Sequence, residues 1–207
     1  MKEIKLSVPL TEDDVRGLNA GDVVSLTGLF YTCRSVFQSK VLGENRIPPV
    51  DFEKINLMVH AGPVMKQEQG VWKPVSIDPT SSIRFEKFGP DIIPKLKIRA
   101  IVGKSTMGPG TLDVMRDFGC VHLTRVGICG NLLAKRIIKV HEVHNLEEYG
   151  KTEATWIMEG RDFGPFIVDM DTKGINYFDE LSKNVEEKKL EQLRRFHIQE
   201  SYSYTEI

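Results

Sequence analysis

Three short segments carry residue types that can hold a small anion. The first follows the apolar run KIRAIV at 97–102 and reads Gly103-Lys104-Ser105-Thr106-Met107-Gly108-Pro109. A loop between a strand and a helix aims backbone N–H groups past the strand end. Lys104 adds a full charge there, and Ser105 and Thr106 add hydroxyls. The order Gly-x4-Gly-Lys-Ser/Thr of a nucleotide-binding loop is absent. Taken alone, the segment reads equally as a capped helix start with a solvated lysine. The second segment is Asp78-Pro79-Thr80-Ser81-Ser82-Ile83-Arg84. Three hydroxyls and an arginine at a predicted helix start suit a carboxylate or phosphate, and they also suit an ordinary polar N-terminus. Asp78 opposes an anion, since a fixed negative charge ~5 Å away costs roughly 1–3 kcal/mol at an effective dielectric near 20. The third is Arg34 with Gln38, i,i+4 neighbours on one face of a predicted helix.

The five histidines, His60, His122, His141, His144 and His197, have no metal-ligand spacing to a cysteine or carboxylate. His60 ends an apolar run, where a histidine is more often structural than basic. His141 and His144 lie three apart in a predicted strand and so face opposite sides. The three cysteines, Cys33, Cys120 and Cys129, are widely spaced and form no CxxC pair. That argues against a disulfide framework and against an iron–sulfur or zinc site held by this chain alone.

The elements that must position these residues alternate between short apolar runs and helical stretches, so an α/β or α+β domain is expected. Strands are predicted at 22–31, 54–60, 71–77, 97–102, 120–123, 139–144, 155–159 and 165–170. Helices are predicted at 32–42 with Thr32 as cap, from Asp78-Pro79 to 88 with a stop at Gly89-Pro90, up to 118 with a stop at Gly119, at 131–138 and at 176–196. The spacing of the strand at 97–102, its loop and helix, and the strand at 120–123 predicts a parallel crossover. Residues 1–196 are expected to form a single domain, with 197–207 a polar tail. With 28 basic and 29 acidic residues the net charge is −1, which gives no electrostatic support for nucleic acid or an anionic membrane. The N-terminus lacks a signal-type apolar run, and no stretch approaches the ~20 apolar residues of a membrane span. A soluble, cytoplasmic protein is the expectation.

HAGPV at 60–64, SIDPTSSIRFEKF at 76–88 and VGKSTMGPGTL at 102–112 together resemble the β subunit of L(+)-tartrate dehydratase and of two-subunit class I fumarases. TGLFYTCRSV at 27–36 and RDFGPFIVDMDTKGINYF at 161–178 extend the resemblance in the same order. It implies a three-layer β/β/α swivelling domain like the mobile domain of aconitase. It implies a partner α subunit holding a [4Fe–4S] cluster, with this chain binding none, in a hetero-oligomer or homodimer. The implied reaction is reversible addition or removal of water on a small dicarboxylic hydroxy acid, malate/fumarate or tartrate. Arg34, Thr80, Ser81, Arg84, Lys104 and Thr106 would bind substrate carboxylates. The sequence departs from the family pattern at Asp78, Ser81 and Phe85 in GPTTSxRM, and at Ser105 and Thr106 in GKGGMG. The family also implies a histidine proton acceptor four residues after Arg34, where this chain has Gln38. Glutamine cannot take that proton. Either His60 substitutes for it, or the chain is a non-catalytic or altered-substrate relative.

Overall fold

The computed structural model describes residues 3–48, 50–125, 127 and 129–198. The chain runs β1 (Glu3–Ser7), α1 (Glu12–Arg16), β2 (Val23–Cys33), α2 (Ser35–Gly43), β3 (Leu57–His60), β4 (Val64–Glu68) and β5 (Val71–Ser76). After a 3-10 turn at Ser82–Phe85 come α3 (Gly89–Lys95), β6 (Ala100–Gly103), α4 (Pro109–Phe118) and β7 (Val121–Thr124). The remainder is α5 (Gly130–Ala134), β8 (Ile137–His144), α6 (Leu146–Glu153), β9 (Thr155–Met170) and α7 (Tyr177–Arg195).

One mixed sheet has the order β1-β2-β3-β6-β7-β9-β8, and β2 also pairs with β9. That extra pairing closes β2, β3, β6, β7 and β9 into a ring. β2, β3, β6 and β7 are parallel, and β9 is antiparallel to both β2 and β7. The predicted crossover is therefore present as β6–α4–β7, and Gly119 ends α4 with a left-handed φ of 78°.

The ring strands have two apolar faces because alternate residues point opposite ways. Leu57 and Val59 join one core with Val24, Leu26, Phe30, Val102, Leu123, Phe163 and Phe166. Met58 and Ile101 point the other way, into a second core with Phe37 and Val41 of α2, Ile92 and Ile93 of α3 and Met115 of α4. Burial on both faces explains the near-continuous apolar runs of these strands. Phe30 and Phe163 stack at 4.6 Å across the β2–β9 seam.

Several elements differ from the sequence expectation. The strands predicted at 155–159 and 165–170 are one strand. The Gly160–Pro165 region resembles a turn in sequence, but it forms bulges against β2: Gly28 faces Gly160 while Leu26 faces Phe163, and Val24 faces Phe166. The Asp162 N–H, freed from the ladder, donates to the Thr27 hydroxyl at 3.0 Å, and Pro165 falls where no ladder donor is needed. Thr32 does not cap a helix. It continues β2 opposite Val59, and its hydroxyl accepts from the Trp156 N–H at 3.1 Å. α2 starts two residues later than a Thr32 cap requires, and its Val36 N–H donates to Glu153 of α6 at 3.0 Å.

Asp78-Pro79 starts no helix either. Residues 79–81 stay out of any helix and bond to the ends of β3 and β6, and the α-helix begins instead at Gly89-Pro90, where a first-turn proline costs no hydrogen bond. The helix predicted at 131–138 ends at Ala134, because Ile137 already pairs with β9. β1, α1, β4 and α6 lie where no element was predicted. Of the expected tail, 199–207 falls outside the described residues.

Glu86 fixes the start of α4. Its carboxylate accepts from the Gly108 N–H at 2.6 Å, the Thr111 N–H at 3.1 Å and the Thr111 hydroxyl at 2.7 Å. These hydrogen bonds satisfy helix N-terminal donors that no side chain on the helix itself caps. Glu86→Ala is expected to lower stability by about 1–3 kcal/mol. Thermal unfolding should show a midpoint shift of roughly 2–4 °C per kcal/mol, and an unchanged midpoint would refute the role.

Candidate active site

The parallel strands β2, β3 and β6 end side by side, and the chain leaves each end carrying a segment singled out in the sequence. Arg34 directly follows β2, Ala61-Gly62 follow β3 and Lys104 follows β6. Backbone bonds join these ends. The Lys104 N–H donates to Thr80 O at 3.2 Å, and the Ser82 N–H returns to Lys104 O at 2.9 Å. The Asp78–Arg84 segment is thus stitched between β3 and the loop after β6. Ligand sites at the carboxyl ends of parallel strands are the general rule for such sheets.

A cleft of about 410 Å³ opens between α2 and the 3-10 turn. Arg34, Lys40, Arg84 and Lys87 put four cationic side chains on its walls, with Phe85 and Phe88 among the apolar ones. Arg34 is balanced in part by Glu153 at 3.5 Å. Arg84 is exposed and pairs with no carboxylate among the described residues. Gly62 leaves room for the Arg34 head: a Cβ there would meet the Arg34 guanidinium at 3.1 Å and the Thr152 side chain at 2.5 Å.

Lys104 is not a wall of this cleft. Its ammonium lies 3.5 Å from Asp78, which Arg125 also approaches at 3.3 Å. Two cations therefore offset the carboxylate that seemed to oppose an anion. Ser81 and Ser105 share a hydroxyl hydrogen bond at 2.8 Å, and Ser105 adopts a φ of 58°, the conformation that a glycine would take without strain. Thr106 accepts from the Asn176 amide at 3.1 Å. So the structure brings Arg34 and Arg84 together at the cleft and Thr80, Ser81 and Lys104 together beside it, while Thr106 turns to the start of α7.

Gln38 lies under the cleft. Arg34 is the N-cap of α2 with an extended backbone, so the two do not share a helix face as their spacing suggested. Gln38 is fully buried and heads a line of buried polar groups. Its Nε2 is 3.3 Å from His60 Nε2, and His60 Nδ1 is 2.9 Å from Ser82 Oγ. The same hydroxyl is 2.8 Å from His122 Nε2, and His122 Nδ1 is 2.6 Å from Asp169 Oδ1. None of the five is exposed. Phe85 packs on the His60 ring at 4.5 Å, between it and the cleft. Gly103 makes room for the line, since a Cβ there would fall 1.8 Å from Ser82 Oγ. Sequence reasoning missed Ser82, His122 and Asp169 as a unit. The available signal was a histidine and an aspartate inside apolar runs, each needing a partner once buried.

His60 does not reach the cleft, so it cannot stand in there for a missing base. Burial, with His122 nearby, pushes its imidazole well below the ordinary range and keeps it neutral. Burial raises the Cys33 and Cys120 thiols, which disfavours the thiolate form that metals bind; Cys129 alone is exposed. Among the described residues no cluster of three histidines, cysteines or carboxylates could hold a metal.

The family model for the fumarase C-terminus matches residues 1–181. This chain belongs to that family. Its relatives include a putative L(+)-tartrate dehydratase subunit beta of Methanocaldococcus jannaschii, 40% identical over 86% of this chain and 93% of that protein. The L(+)-tartrate dehydratase subunit beta of Escherichia coli K12 is 34% identical over 91% of this chain and 92% of that one. A putative class I fumarate hydratase of Geobacillus stearothermophilus is 37% identical over 93% of this chain but only 36% of its own length. The chain thus matches proteins named as β subunits over most of their length and about a third of a longer one.

The neutral His60 makes stability depend on pH. The unfolded histidine titrates near ~6.5 and the folded one well below, so the unfolded state binds the extra proton. Its contribution is present above ~6.5 and is lost as the pH falls, by up to about 1.4 kcal/mol per pH unit. Denaturant midpoints should drop between pH 7 and 5, and the drop should be shallower in His60→Gln. Equal slopes would contradict a neutral buried His60.

Proposed function

We propose that the chain is the β subunit of an iron–sulfur-dependent hydro-lyase acting on a small dicarboxylic hydroxy acid, malate/fumarate or tartrate. The observation that carries this is the pairing of Arg34 and Arg84 in one cationic cleft, in a chain of this family. Two guanidinium groups suit two carboxylates, each offering paired N–H donors in the plane that a carboxylate accepts. The polar rim of Thr80, Ser81 and Lys104 supplies further donors beside the cleft. Because Asp78 is offset by Arg125 and Lys104, the rim keeps a net positive charge.

A [4Fe–4S] cluster would supply a Lewis-acid iron for the departing or entering oxygen. Its ligands belong to the α subunit on this reading, since two of the three cysteines here are buried and the third stands apart. This chain's own part is to bind and orient the carboxylates and to close the site. The proton step falls to a group other than Gln38 or His60. The layering of two cores about one sheet supports the aconitase-like swivelling fold, with residues 1–196 moving as a unit against the α subunit. The unpaired cysteines suit a reducing cytoplasm, and among the described residues no helix is long and apolar enough to cross a membrane. The reading of a non-catalytic relative is disfavoured by relatives named as dehydratase and hydratase subunits.

The test is co-expression with an α subunit and anaerobic assay on malate, fumarate and tartrate. The β chain alone should bind no cluster and turn over none of them, and the complex should turn over at least one. Arg84→Ala, a change at an exposed side chain, should raise KM roughly 10- to 100-fold with the fold intact, as expected for a lost charge-assisted hydrogen bond of about 1.5–3 kcal/mol. Turnover by the isolated chain, or an unchanged KM, would overturn the assignment.

A further inference from the structure

The buried line from Gln38 to Asp169 has a direction that follows from donor and acceptor accounting. An ionised Asp169 only accepts, so His122 donates to it from Nδ1. If that is the only ring proton on His122, its Nε2 is an acceptor, which the Ser82 hydroxyl fills by donating its one proton. Ser82 Oγ has no proton left for His60, so His60 must donate to it from Nδ1. His60 Nε2 is then an acceptor, and the Gln38 amide donates to it. Given a single ring proton on His122, every link is determined by the one before it.

We infer that Asp169 and His122 are positioning residues for the carboxylate-binding segment: acting through the shared Ser82 hydroxyl, they fix the ring of His60 and the placement of Thr80–Arg84 against β3 and β6. Ser82 is the pivot. It is fully buried, its N–H is held by Lys104 O, and two residues further on the chain delivers Arg84 to the cleft. The Thr80 N–H donates to His60 O, so ring and backbone of the same histidine hold both sides of Ser81. Nothing in the line touches the cleft, which is why its members orient rather than react.

This account explains glutamine at position 38. The end of the line needs a donor toward His60 Nε2 and no proton transfer, and an amide provides that. It also explains Gly103, because any side chain there would occupy the place of the Ser82 hydroxyl.

The decisive experiment uses the full chain labelled with nitrogen-15 histidine, read by long-range proton–nitrogen correlation spectra at neutral pH. In the wild type, both His60 and His122 should show the neutral Nδ1–H tautomer. In Asp169→Asn the new amide can donate to His122 Nδ1. His122 Nε2–H then donates to Ser82, Ser82 donates to His60 Nδ1, and His60 switches to the Nε2–H form, with the Gln38 amide turned so that its oxygen accepts from Nε2–H. In Ser82→Ala, His122 should keep its Nδ1–H tautomer while His60 loses its fixed one. A wild-type His60 in the Nε2–H form, or a His60 indifferent to both Asp169→Asn and Ser82→Ala, would overturn the proposal. If Asp169→Asn does not fold, the wild-type and Ser82→Ala spectra decide alone.

The kinetic arm rests on the hydro-lyase reading, while the spectra do not, so the two can fail separately. In the assembled complex Asp169→Asn should lower kcat/KM roughly 10- to 100-fold by misplacing Thr80–Arg84. Asp169→Glu, which keeps the acceptor, should recover part of the loss. Wild-type kinetics in a variant whose His60 tautomer has switched would remove the positioning role.

Discussion

Strand β9 closes the sheet, and the rest of the molecule depends on that closure. It bonds to β7 near its C-terminal end, to β2 along most of its length and to β8 at its N-terminal end. A ring of strands has an inside, and here Phe30, Phe163, Phe166 and Leu123 help to fill it. The outside is covered in turn by α2, α3 and α4. Strands buried on both faces leave no solvent for a polar side chain that lies among them. His122 on β7 and Asp169 on β9 can sit there only by pairing with each other, and the pair then needs a further partner. The Ser82 hydroxyl is that partner, and it brings the carboxylate-binding segment with it.

The departures from the family pattern that seemed to damage the site have local compensation. Asp78 is matched by Arg125 and Lys104. Ser105 adopts the left-handed conformation at the cost of some backbone strain, and its hydroxyl reaches Ser81. Gln38 satisfies a buried histidine. None of these residues is among the cleft-lining residues, where Arg34 and Arg84 supply the two guanidinium groups. Substitutions around an anion site are tolerated where they keep the guanidinium geometry and leave no buried charge unpaired.

Arg84 and Lys104 illustrate how charge is divided. Both belong to segments that the sequence marked for anions, and both segments lie at the carboxyl ends of the parallel strands. Among the described residues Arg84 has no carboxylate partner, and it lines the cleft, whereas Lys104 is occupied by Asp78. The free guanidinium is the better candidate for a dicarboxylate, because the lysine would first have to leave its present partner.

The sequence by itself determined the family, the crossover of β6, α4 and β7, the glycine stop of α4 and the charged helix α7. Those features rest on local periodicity, on glycine and proline chemistry and on short motifs, all contained within a few tens of residues. Tertiary structure alone decided that 155–170 is one strand, because a bulge looks like a turn until a partner strand is present. It decided that Thr32 belongs to the sheet, since the groups that use its hydroxyl, Ala154 and Trp156, lie far along the chain. It decided that Ser82 points inward while its neighbours Ile83 and Arg84 are exposed. The groups that turn Ser82 inward are 22 and 40 residues away, at His60 and His122. Hydrogen bonding between such distant residues follows from strand order and burial, and no spacing in the sequence carries that information.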